Sequence, residues 1–128
     1  MSSAAHPGKA LVVAFYEAFT GRDLAAFDDI LAAGWINHPA DPGRENNRDG
    51  FKAGVADFHA AFEGFRIRRD ALVAEGDLVV CRITMTGRHV GVLGEWQPDG
   101  RDVTFHGMDM HRIEQGRIAE TWHFESMG

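Results

Sequence analysis

Asp109 and His123 stand on either side of a Glu114–Gln115–Gly116 link. No other stretch of the chain has the same capacity for proton chemistry. A histidine ionises near pH 6.5, so it is poised to give or take a proton at neutral pH. A carboxylate beside it could fix the ring tautomer and stabilise the protonated form. Asp109, if burial kept it protonated, could instead donate a hydrogen bond to an enolate oxygen. His111 and Thr121 lie on the same stretch. Two further histidines stand in suggestive settings, His38 in WINHP just before a proline and His89 in TGRHVG between glycines. A metal cluster of His38, His111, His123 and Asp109 would need tight ligand spacing, which is absent, and no metal is expected.

These side chains act together only if the backbone aims them the same way. The link fits a three-residue hairpin loop with Gly116 in the left-handed position. In that register residues 107, 109, 111 and 113 share a face with 119, 121, 123 and 125. Asp109 and His123 are then cross-strand or diagonal neighbours. A two-residue loop would separate them. The opposite face carries Met108, Met110, Arg112, Ile118, Glu120, Trp122 and Phe124 and is largely apolar, the mark of a partner surface. The polar face is expected to line a pocket and the apolar one to meet a second copy.

The remaining elements supply the walls. Residues 8–20 show apolar positions at helical spacing, with Leu11, Phe15 and Phe19 on one line and Val12 beside it. Gly21 is expected to stop this helix. Asp23 would cap a second, whose buried stripe is Leu24, Phe27, Ile30 and Leu31. Residues 35–38 read as a short extended segment ended by Pro39, followed by a long loop, ADPGRENNRDG. A third helix carries Phe51, Val55, Phe58 and Phe62 on one face. The period then becomes strand-like over residues 65–73, 77–90, 103–113 and 117–125. Helices first and antiparallel strands after is an α+β order. The predicted architecture is a curved antiparallel sheet with three N-terminal helices, and the nine Phe and three Trp would line or fill the space between them.

Composition narrows the class. The 128 residues suit one domain, 1–128, with residues 1–8 expected to be flexible. Thirteen basic against nineteen acidic residues give a net charge of −6, which argues against nucleic-acid binding. Arg66, Arg68 and Arg69 are too few for a binding stripe and read as a solvated strand face. The single cysteine, Cys81, sits in an apolar run and reads as a buried, inert thiol. No signal peptide or membrane-length run is evident, so the protein is expected in the cytoplasm with no membrane partner.

Taken with the segments FTGRDL, WINHP, EGDLVVCRITMTGRHVG, WQPDGRDVTF and MDMHRIEQGRIAETWHF, the chain resembles the SnoaL-like polyketide cyclases of the nuclear-transport-factor-like superfamily. The resemblance runs from about Leu11 to Phe124. It implies a cone-shaped α+β fold, a deep apolar pocket, a homodimer through the outer sheet face, and cofactor-independent aldol-type ring closure on a small hydrophobic, polyketide-like substrate. In the family's ester cyclases an Asp on the last strand is the base and a His on the preceding strand holds substrate. Here those places are taken by His123 and Asp109, so the two residue types are exchanged. A third pocket position, an Asn in those cyclases, falls at Asn37 or His38. Steroid isomerases of the superfamily are similar at His38 and Asp109, but their Tyr donor is matched by Phe15, which argues against their reaction.

The resulting expectation is a cyclase or isomerase with His123 as acid–base and Asp109 as its partner. Asn37, His38, His89, His111, Trp35, Phe15 and Thr121 would contact substrate. The alternatives are a non-catalytic small-molecule binder, or an epoxide hydrolase or monooxygenase-assisting protein on the same scaffold.

Overall fold

The computed structural model describes residues 6–40 and 43–127. Helix α1 (Pro7–Gly21) is capped by His6, whose ring accepts from the Gly8 amide, and Pro7 supplies the preset first turn. His6 and the first residues of α1 thus claim part of the stretch expected to be flexible, and residues 1–5 lie outside those described. The helix ends on Arg22, which takes the left-handed conformation instead of Gly21. Its buried face is Val12, Phe15, Tyr16, Ala18 and Phe19, rotated from the predicted line so that Leu11 is only partly covered.

The second helix is shorter than its stripe suggested. A 3-10 turn (Leu24–Ala26) leads into α2 (Phe27–Ile30), and Asp23 makes no side-chain cap bond. Leu31 already begins β1 (Leu31–His38), so the segment expected at 35–38 is twice as long. Helix α3 (Arg48–Ala61) is capped by Asn47 and hands over directly to β2 (Phe62–Glu75), which takes Phe62 from the helical stripe. Strands β3 (Leu78–His89), β4 (Asp102–Glu114) and β5 (Arg117–Met127) complete one sheet in the order β1-β5-β4-β3-β2. The α+β class is as expected, with one difference. Strand β1 pairs parallel with β5, making the sheet mixed. Bulges in β2 and β5 bend it around the helices.

The β4–β5 hairpin reaches the expected facing by another route. Glu114 pairs with Arg117, so the turn has two residues, and both Gln115 and Gly116 hold positive φ (52° and 77°). That is a type I′ turn, which alone would set Asp109 against the wrong face. A bulge at Ala119 then inserts one residue into β5, because Arg112 pairs with Glu120 whereas Ile113 pairs with Ile118. Asp109 therefore lies directly opposite His123. The bulge also corrects Ile118, which was expected on the outer face. It is fully buried beside Leu31.

Between helices and sheet lies an aromatic cluster. Phe51 stacks on Phe15 and meets the edges of Phe19, Phe27 and Trp35 within 5.1–5.7 Å. Arg66, Arg68 and Arg69 are exposed, as expected of a strand face. Burial pushes the Cys81 thiol up to about 11, which keeps it unreactive. No helix among the described residues is long and apolar enough to cross a membrane.

Candidate active site

The concave side holds an open-mouthed cavity of about 940 Å³, within the range that takes a multi-ring compound. Phe15 and Phe19 of α1, Phe51 and Phe58 of α3, Trp35 of β1 and Ile83 of β3 form its apolar wall. The sheet contributes the polar groups Asp109 of β4 and Thr121, His123 and Glu125 of β5, with Asn37 beside them on β1, while Tyr16 of α1 and the ion pair of Arg44 with Asp57 of α3 add polar atoms from the helical side. Strand alternation explains the sheet's share, since odd-numbered residues of β4 and β5 point inward on the near side of the bulge.

Asp109 is 4% exposed, and its two oxygens have different partners. Oδ1 accepts from His123 Nδ1, and Oδ2 accepts from the Tyr16 hydroxyl at 2.6 Å. The far ring nitrogen of His123, Nε2, donates to Glu125 Oε1 at 2.5 Å. His123 is thus a cation clamped between two carboxylates. Burial would by itself lower its ionisation, but the hydrogen bonds to Asp109 and Glu125 outweigh it and raise His123 to about 10. At neutral pH this histidine carries its proton and is an acid, and Glu125, exposed at the cavity edge, is the side chain a ligand could displace.

Behind this pair lies a second imidazole. His111 is fully buried, and desolvation, opposed by Asp109, lowers it to about 4, so it is neutral at ordinary pH. Its Nε2 meets the Tyr16 oxygen at 2.9 Å and its Nδ1 meets Thr121 Oγ1 at 2.9 Å. Thr121 in turn accepts from Trp35 Nε1 at 3.0 Å. Burial first, and the neighbouring Asp109 charge second, raise Tyr16 well above the ordinary phenol range, so it stays a neutral donor.

The structure therefore brings Asp109, His123, Asn37, Phe15, Trp35 and Thr121 to one cavity and removes three expected substrate contacts from it. His38 is a correction. Asn37 points inward, so its neighbour on the strand must point outward. There His38 stacks on Trp122 at 5.4 Å and contacts Glu120 at 2.6 Å. His89 is a second correction. It is wholly buried between Phe62 and Trp96, with ring centroids 5.0 and 4.0 Å away, and both ring nitrogens lack a partner. The flanking glycines serve close approach, since a Cβ on Gly87 would stand 2.8 Å from Phe62 Cβ and one on Gly91 2.6 Å from the Ala60 oxygen. His111 is the third, because it sits behind Tyr16 and does not line the cavity. With His38 on the opposite sheet face, the four candidate metal ligands are not one cluster, and no such group occurs among the described residues.

Tyr16 and Glu125 take part without having been singled out. Tyr16 is the chain's one tyrosine and follows Val12 by one helical turn, a signal hidden behind the Phe15–Phe19 line. Glu125 shares a strand face with His123 by simple alternation. The Tyr donor expected to be lost at Phe15 is present one residue later, but its proton is spent on Asp109.

The family model for SnoaL-like polyketide cyclase matches residues 10–127. Among solved structures, TsrD from Streptomyces laurentii superposes with a TM-score of 0.83 at 28% identity, over 99% of this chain and 90% of that one. IdmH from Streptomyces antibioticus, named as a candidate polyketide cyclase, gives 0.80 at 25% identity over 95% and 93%. AclR from Streptomyces galilaeus, named as a candidate hydroxylase, gives 0.79 at 24% identity over 93% and 78%, a likeness of fold. No curated protein matches the chain.

Proposed function

Because the chain belongs to the SnoaL-like polyketide cyclase family, we propose that it is a cyclase or isomerase that uses acid–base chemistry on a hydrophobic, carbonyl-bearing ring substrate such as a polyketide. The observation that carries this reading is the buried Asp109 carboxylate holding a protonated His123 at the wall of an aromatic cavity. The expected division of labour changes accordingly. His123 acts from its acid form, and the base is a carboxylate.

A substrate carbonyl oxygen entering the cavity replaces Glu125 on His123 Nε2. The freed Glu125 takes the proton from the carbon between two carbonyls. The resulting enolate oxygen is held by the imidazolium, a preplaced charge backed by the buried Asp109 carboxylate. The enolate carbon then attacks a third carbonyl of the same molecule and forms a C–C bond. The new alkoxide recovers the proton from Glu125, so the overall change is an isomerisation. Phe15 and Trp35 face the substrate's rings, and Asn37 offers its amide at the same wall.

The test is incubation with aryl β-keto esters carrying a further ketone placed for six-membered closure. Closed product, followed by chromatography, is expected to form at least about a hundredfold faster than in buffer. Tight binding with no conversion over hours would make the protein a ligand carrier instead.

We further propose that two copies pair through the outer sheet face. Met108 and Phe124 stand there 46% and 72% exposed, beside the half-buried Met110 and Trp122. Light scattering at micromolar concentration is expected to give twice the 14.1 kDa of one chain, and Phe124→Asp to halve it. A wild-type monomer would contradict the pairing.

A further inference from the structure

The buried polar groups behind the cavity form a chain in which every hydrogen-bond direction can be assigned. An indole nitrogen only donates, so Thr121 Oγ1 accepts from Trp35. At the other end Asp109, paired with the His123 cation, only accepts, so the single Tyr16 proton goes to its Oδ2. The Tyr16 oxygen must then accept from His111 Nε2. A neutral imidazole protonated at Nε2 is bare at Nδ1, so the Thr121 hydroxyl donates there. Every link from Trp35 onward donates toward Asp109. Its members are 0–4% exposed, so no water substitutes for a missing partner.

We propose that Thr121, His111 and Tyr16, anchored by Trp35, are positioning residues that act through Asp109 on His123. They occupy one Asp109 oxygen and fix the carboxylate plane. The other oxygen is left for His123 Nδ1, which sets the ring so that Nε2 faces the cavity. Reversing the chain would give the Thr121 oxygen two donors and leave its own proton without an acceptor, a costly state inside the protein. The polarity is therefore built in. The Trp35 N–H and the Thr121 hydroxyl are both spent inside this chain of hydrogen bonds. The neutrality of His111 agrees with this assignment, since burial lowers it to about 4. The ionisable groups facing the chain are Tyr16 from α1, Cys81 from β3, Asp109 and His111 on β4, and His123 and Glu125 on β5.

The kinetic side of this inference rests on the cyclase reading, and the spectroscopic side on geometry alone. Nitrogen-15 spectra of histidine-labelled protein at neutral pH are expected to show His111 protonated at Nε2 and bare at Nδ1. Thr121→Val keeps the volume and removes the hydroxyl. It is expected to move the His111 Nδ1 resonance downfield and to perturb His123, and Thr121→Ser to restore both. In the ring-closure assay Thr121→Val should lower kcat by about ten- to a hundredfold, the effect of misplacing a catalytic group, with KM within about twofold. Should Thr121→Val not fold, Tyr16→Phe reads the chain from its other end, by shifts of the His111 Nε2 and His123 signals. A wild-type His111 protonated at Nδ1 would overturn the inference, as would a Thr121→Val defect confined to KM. If the wild type closes no ring, the cyclase reading fails and the spectra still decide the chain.

Discussion

His123→Gln is expected to lower ring closure by about a hundred- to a thousandfold, the usual cost of removing a preplaced donor to a developing oxyanion. Glutamine fills similar space and can still donate a neutral hydrogen bond, so the loss measures the charge. Since Asp109 and Glu125 hold His123 near 10, wild-type kcat/KM should stay level across neutral pH and fall as pH rises through about 10. A base with ordinary histidine ionisation would give the opposite limb, with activity rising through pH 6.5. Steady-state rates from pH 5 to 10.5 distinguish the two. A variant with wild-type rates would remove His123 from the chemistry.

Asp109→Asn is expected to have the largest effect on stability. The carboxylate is buried, accepts from two side chains and faces a cation, and the variant removes the charge and puts an amide donor where one of the two acceptor oxygens stood, facing either the Tyr16 hydroxyl or the imidazolium. Losing one partner of such a pair costs about 3 kcal/mol. The pH dependence has a definite sign. His123 is raised in the fold, so the stability it contributes is full below about 6.5 and is lost as pH climbs to about 10. The penalty of Asp109→Asn, measured by urea unfolding, should therefore be greatest near pH 6 and shrink toward pH 10. In the variant His123 should titrate much closer to 6.5, with only Glu125 to hold its proton.

The sheet and the inward facing of Asp109 and His123 were legible in the sequence because strand alternation is strict. The route to that facing was not. Gln115 is not a residue that announces a type I′ turn, and nothing in the sequence around Ala119 marks a bulge. The two offset each other in register, so the pair was placed correctly on an incorrect turn, and Ile118 revealed the difference by lying inside. Strand β1 was underestimated because Leu31 fits a helical stripe as well as a strand. Its parallel pairing with β5 is a contact between distant segments that local pattern cannot report. Lone histidines carried least information. His38 was decided by the inward turn of Asn37, and His89 by two glycines that let Phe62 and Ala60 close over it. Tyr16 was obscured by stronger neighbours on the same helix.

The central claim is that the pocket wall presents a protonated His123 held by Asp109. Titrating the ring nitrogens of His123 by nitrogen-15 spectroscopy between pH 5 and 10.5 tests it most directly. Both nitrogens should remain protonated at pH 8, with a midpoint near 10. A midpoint near 6.5, with one bare nitrogen at pH 8, would contradict the acid role assigned to this residue.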